Sequence, residues 1–188
     1  DGAITMAIDA IEKNASPGRR HRIEHLELAS PEDAKRLGEL GLTASIQPVH
    51  ADPSILTEWP RLIGEKRCKR AFAYREFADA GALVAIGSDS PTSPWAPMDN
   101  LYVATTRNSA RNVKYTKVVN EHFRLGMCES IVAASEGAAR SVFAEERTGS
   151  LGVGKLADFV VVDMEWDANA LLEAKVKETW FGGRKVWG

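Results

Sequence analysis

Apolar residues recur at Ile4, Ala7, Ile8 and Ile11, the stripe of an amphipathic helix over Ala3 to Asn14, and Asn14-Ala15-Ser16-Pro17-Gly18 supplies the turn that ends it. The pattern then changes period. Three short, mostly apolar segments read as strands: His21 to Leu28, Thr43 to His50 and Leu83 to Gly87. Between them lie helical stretches. Ser30-Pro31-Glu32-Asp33 opens one with a serine cap, a proline at the first helical position and acid in the first turn. Ala34, Leu37 and Leu40 give this helix a buried face, and Gly41 stops it. Polar residues 52–70 predict a longer loop with a short helix around Ser54 to Leu62, followed by a helix over Ala71 to Ala80. Met98 to Thr106 and Glu129 to Phe143 read as further helices. Strands alternating with helices predict parallel pairing under a helical cover, and the small and β-branched residues of Leu83 to Gly87 suit a strand buried on both faces.

Beyond Phe143 the character changes. A glycine-rich bend, Gly149 to Lys155, leads into the strand Phe159 to Asp163. Lys175 to Phe181 and Arg184 to Trp187 then flank Gly182-Gly183, a hairpin signal. These features predict two units, residues 1–145 and residues 146–188, with the boundary near Glu145 to Thr148. The bend has glycines at 149 and 154 and a lysine at 155, the spacing of a phosphate-binding loop. Leu156, however, stands where magnesium needs a hydroxyl, and the segment precedes a strand instead of opening a helix. We read it as a turn.

Each of the first three strand segments carries an ionisable side chain toward or just past its C-terminal end: His25, His50 and Asp89. Simple alternation puts His21, Ile23 and His25 on one face, Ile46, Pro48 and His50 on one face, and Ala85, Gly87 and Asp89 on one face. In a β/α barrel the C-terminal ends of the strands carry the chemistry. A lone histidine at a strand end is more commonly an inert hydrogen-bonded residue, and an aspartate in a turn is as readily a cap as a catalyst. The functional alternatives are a metal ligand for His25, and for Asp89 a group that takes a proton from water and returns it to a departing amine or alcohol. His50 could line the same mouth as a substrate contact. His122 carries no assignment, and Trp95 reads as a loop anchor that could wall a pocket.

Composition narrows the function classes. The 188 residues carry 24 basic and 26 acidic side chains, mixed along the chain, which argues against nucleic acid or an anionic membrane as partner. At 44% hydrophobic content the chain can bury a core, and no apolar stretch approaches the ~20 residues that span a bilayer. Cys68 and Cys128 are too few and too far apart for a disulfide framework, which favours a reducing compartment and a cytoplasmic location by default.

Together the segments resemble the amidohydrolase superfamily, in particular its amidohydrolase-3 branch of formamide deformylase-like and D-aminoacylase-like enzymes. His21-Arg22-Ile23-Glu24-His25 resembles the sixth barrel strand, Ser45-Ile46-Gln47-Pro48-Val49-His50 the seventh, and Gly81 to Pro91 the eighth. Gly149-Ser150-Leu151 through Asp158 resembles the entry to the accompanying β-sandwich. The resemblance implies an α/β fold: the C-terminal half of a metal-dependent (β/α)8 TIM barrel plus part of a small β-sandwich. It implies a divalent metal, zinc foremost, held by His25 and Asp89, with Asp89 also the catalytic proton carrier and His50 a substrate-binding residue. The implied reaction is hydrolysis of a carbon–nitrogen bond other than a peptide bond, in an amide, formamide or carbamate of a small molecule.

The first-strand histidine pair, the bridging lysine or glutamate and the fifth-strand histidine of that branch have no counterpart here, and Asp1-Gly2-Ala3 resembles the residues just past that fifth-strand histidine. The expectation is therefore a C-terminal fragment, inactive alone and in need of the missing N-terminal barrel half or another chain as partner. Two ligands seldom hold a catalytic zinc, so the fragment by itself is expected to hold metal poorly or not at all. The alternatives are a non-enzymatic truncated relative and a metal-free α/β module that binds a small molecule.

Overall fold

A computed structural model describes all of residues 1–188. The chain folds as α1 (Gly2–Asn14), β1 (Arg22–Glu24), α2 (Pro31–Glu39), β2 (Thr43–Ile46), α3 (Trp59–Ile63), α4 (Glu65–Cys68), α5 (Tyr74–Asp79), β3 (Leu83–Ile86), α6 (Pro97–Thr106), α7 (Met127–Val132), α8 (Ala138–Ser141), β4 (Phe159–Asp163), β5 (Lys175–Phe181) and β6 (Arg184–Trp187). Strands β1, β2 and β3 form a parallel sheet in that order, with Ile23, Ala44 and Val84 in one row and Glu24, Ser45 and Ala85 in the next. An α/β unit is thus in place.

The rows have opposite characters. Ala44, Ile46 and Ile86 join Ile8, Leu26, Leu37, Phe72, Tyr74, Phe77 and Val103 in the core, with Ile23 and Val84 packed against it. On the other face Arg22 pairs with Glu24 at 2.8 Å, and Gln47 donates to Glu24 at 3.2 Å. Glu24, Ser45, Gln47 and Ala85 line a concavity of about 530 Å3, roofed by Ser141 and Val142. β3 is buried on both faces at its C-terminal end, as its composition suggested, through Ala85 and Ile86, but the two layers differ. Helices cover one side, and polar and small residues line the other.

Local chemistry explains the helices. Ser30 caps α2 by accepting from the Asp33 amide, while the Asp33 carboxylate takes the Ser30 amide in return. At the other end Leu40 closes the helix and Gly41 adopts φ +62°, a turn that glycine makes without steric cost. The predicted helix over 71–80 is shorter, because Phe72 adopts φ +61° and helical geometry begins only at Tyr74. The helix expected over 129–143 starts earlier and is not uniform. Between α7 and α8 lies a π turn, Ala133–Gly137, at which the backbone passes so close to the outward carbonyl of Val84 that any side chain on Gly137 would collide with it. That passage covers the open edge of β3.

Strands β4, β5 and β6 form a separate antiparallel sheet. Gly182 (φ +56°) and Gly183 (φ +76°) make its hairpin turn, and Phe159 stacks on Trp180 at 5.5 Å. A 3-10 turn, Ala168–Glu173, ties this part to α6 through the buried Leu171. The bend over 149–155 is a turn ahead of β4, with the Lys155 ammonium donating to the Ser150 hydroxyl at 2.6 Å. No helix is long and apolar enough to cross a membrane.

Two buried polar groups hold the loops above the sheet. Arg107 is fully buried. Its guanidinium donates to the carbonyls of Phe72 at 2.8 Å and Val119 at 3.2 Å, and it lies over the Tyr74 ring at 5.0 Å. Burial pushes the guanidinium down from its ordinary value and the Tyr74 phenol up. Asp52, 1% exposed, accepts from the Ser54 amide and hydroxyl and from the amides of Ala110 and Arg111. Burial raises its carboxyl, but hydrogen bonds from Ser109, Arg111 and Ser54 outweigh that and hold it below its ordinary value.

Each anchor generates an expected outcome. Arg107→Ala takes the guanidinium from the Val119 carbonyl and from the Phe72 carbonyl, which keeps only the Tyr74 amide, and opens a cavity, and is expected to lower unfolding free energy by about 3 kcal/mol in urea denaturation. A carboxyl whose folded pKa is depressed stabilises above its unfolded value and loses that contribution as pH falls through the folded one. The stability gap between wild type and Asp52→Asn should accordingly be constant above about pH 5 and shrink steadily below about pH 4.

Candidate metal centre

Beyond Glu24 the chain leaves β1 in an unusual conformation: His25 has φ +70° and Leu26 φ +54°. Asp89, three residues past β3, has φ +57°. The alternation expected to place His25 with Ile23 therefore fails, since Ile23 packs on the core and His25 lines the concavity, while Ala85, Gly87 and Asp89 line that concavity together as expected. Left-handed backbone is uncommon for non-glycine residues, and such residues gather at functional sites. His50 also lies outside its strand, in a 3-10 turn, Pro48–Ala51. That turn is tied to α6 by the Val49 amide, which donates to the Asn100 side chain at 3.1 Å.

These three departures bring the side chains together. One donor atom from each of His25, His50 and Asp89 lies within 4.8 Å of the others. The Asp89 Oδ2 is 3.9 Å from His25 Nε2 and 3.7 Å from His50 Nε2, both too long for a hydrogen bond. The two imidazoles stack at 5.2 Å with 28° between planes. His50 Nε2 is buried and has no hydrogen-bond partner.

A fourth residue, which strand-end reasoning passed over, completes the group. Glu27 Oε1 is 3.2 Å from His50 Nδ1 and 3.6 Å from His25 Nδ1. Its backbone is fixed by the Phe72 amide, which donates to the Glu27 carbonyl at 2.7 Å. Phe72 is in turn held by Arg107. The only sequence signal for Glu27 is its place two residues beyond a candidate ligand.

The donor set suits a divalent metal. Imidazole nitrogens and a carboxylate are borderline-to-hard ligands of the kind zinc takes, and a carboxylate behind an imidazole is the usual support of a metal-binding histidine. The orphaned His50 Nε2 fits the same conclusion, because a buried acceptor facing other acceptors lacks a cation or a donor. The other sequence candidates lie outside the cluster. Trp95 is 78% exposed and does not line the concavity beside Asp89. His122 packs on Phe123 at 4.0 Å.

Comparison with known proteins agrees with this picture. Protein LONG AFTER FAR-RED 3 of Arabidopsis thaliana is 31% identical over 193 residues, covering 100% of this chain and 33% of that protein. Putative amidohydrolase YtcJ of Bacillus subtilis (strain 168) is 28% identical over 194 residues, covering 100% of this chain and 36% of its own. Among solved structures, an uncharacterized metal-dependent hydrolase from Pyrococcus furiosus aligns with TM-score 0.63 and 26% identity over 82% of this chain and 30% of that one. The chain spans about a third of the length of these relatives. The amidohydrolase family matches residues 1–187, leaving no element of the fold outside the match, and the chain belongs to that family.

Proposed function

We propose that this chain contributes part of the catalytic centre of a metal-dependent hydrolase acting on a carbon–nitrogen bond other than a peptide bond, in an amide, formamide or carbamate of a small molecule. The observation that carries the reading is the convergence of two histidine nitrogens on the Asp89 carboxylate beside the ends of parallel strands. The family and the names of its relatives, an amidohydrolase and a metal-dependent hydrolase, support it. In this reading the parallel sheet is the C-terminal half of a barrel, and the antiparallel sheet is part of a β-sandwich.

The residues divide the work. His25 and Asp89 hold the metal, zinc by the chemistry of its donors. When bound, such an ion polarises the substrate carbonyl and readies water for attack. Asp89, with its side chain 37% exposed, is reachable from solvent and stands where it can take a proton from the attacking water. It passes that proton to the departing nitrogen, which would otherwise leave as a poor, strongly basic anion. His50, less exposed and beside Asp89, orients the substrate. Glu24 and Gln47 give the adjoining concavity polar walls, suited to a small polar molecule.

This chain alone, with two assigned ligands, is expected to show no significant turnover. In the longer protein that contains it, Asp89→Asn should cut hydrolysis of N-substituted formamides, N-acyl amines or carbamates by about 10²–10⁴-fold, with zinc content largely kept on elemental analysis. Full activity in that variant removes Asp89 from the mechanism.

A further inference from the structure

We propose that Glu27 is a positioning residue that turns His50 into a third metal donor beside His25 and Asp89. The inference rests on the metal-dependent reading above and changes the role of His50 within it, from substrate contact to ligand.

The geometry of one ring carries most of the argument. His50 Nδ1 lies 3.2 Å from Glu27 Oε1, inside hydrogen-bond range, and the ring is 14% exposed. A carboxylate oxygen accepts, so the single proton of a neutral imidazole sits on Nδ1. Nε2 is then a bare lone pair. It is buried, without a hydrogen-bond partner, and 3.7 Å from Asp89 Oδ2, another acceptor. Two acceptors face each other with no donor between them, which is unfavourable in a poorly hydrated setting.

His25 narrows what can relieve this. Its Nε2 is 3.9 Å from the same Asp89 oxygen, and its Nδ1 is 3.6 Å from the same Glu27 oxygen. One ring nitrogen from each histidine and one Asp89 oxygen therefore converge, with a second carboxylate behind the rings. A substrate N–H or a water proton answers one acceptor at a time. A divalent cation answers all three, and the Glu27 carboxylate behind the His50 ring strengthens that ring as a donor. The position of Glu27 is not accidental to its own turn, since the Phe72 amide and, through Phe72, the buried Arg107 fix its backbone from outside.

The test uses this chain with zinc and, for its visible spectrum, cobalt, followed by calorimetry and by imidazole ¹H–¹⁵N correlation. One equivalent should bind, and His25→Ala, His50→Ala and Asp89→Ala should each abolish or sharply weaken it. Glu27→Gln, which keeps an acceptor but not the charge, should weaken binding by about 10-fold, and Glu27→Ala by about 100-fold. In the metal-free protein His50 should be the Nδ1–H tautomer in wild type and Glu27→Gln, and lose that preference in Glu27→Ala. A purely structural role for Glu27 would not move this signature. Zinc that needs His25 and Asp89 but is indifferent to His50→Ala overturns the inference and leaves the hydrolase reading standing, as do His50 signals that zinc does not shift. A folded chain whose zinc binding needs none of the three residues overturns both.

Discussion

Parallel pairing of three short strands is the constraint from which the site follows. Because β1, β2 and β3 run the same way, with Glu24, Ser45 and Ala85 side by side, their C-terminal ends lie along one edge of the sheet. Whatever the chain places just after each strand is delivered to the same neighbourhood. An antiparallel sheet of the same sequences would have sent the middle histidine to the opposite end. The helices that make parallel pairing possible also supply the apolar cover, and α2 with its reciprocal serine–aspartate cap shows how local chemistry starts the return run at a fixed point.

The final placement of the side chains depends on a layer outside the sheet. Arg107 grips the Phe72 carbonyl, Phe72 grips Glu27, and Glu27 grips His50. Arg107 and Phe72, far from the strand ends in sequence, are thereby joined to them through Glu27. Asp52 plays a parallel part for the loop around Ala110 and Arg111. Each of these anchors is a buried polar group bonded mainly to backbone, which orders a loop because leaving such a group unpaired is costly.

How much of this was legible in the chain differs by residue. The three strands, the capped helix α2 and the hairpin at Gly182-Gly183 rest on periodicity and turn chemistry that act locally, and they were visible. His25 and Asp89 stood out as strand-end groups for the same reason. Their left-handed backbone was not visible, because no glycine or asparagine marks those positions and the conformation is imposed by tertiary packing. Glu27 looked like one more polar strand residue until Phe72, from a distant loop, fixed its turn. The π turn before Gly137 likewise answers a long-range fact, the close passage of the Val84 carbonyl, which leaves no periodic trace.

The left-handed conformations of His25 and Asp89 set stability against chemistry. At both positions glycine would sit at ease, and any L-residue with a side chain is held there against its preference. Backbone relaxation and the proposed chemistry thus pull in opposite directions at the same two sites. Glycine at residue 25 or 89 would ease the backbone and remove the side chain that the proposed chemistry needs, so the two demands cannot both be met by one residue there.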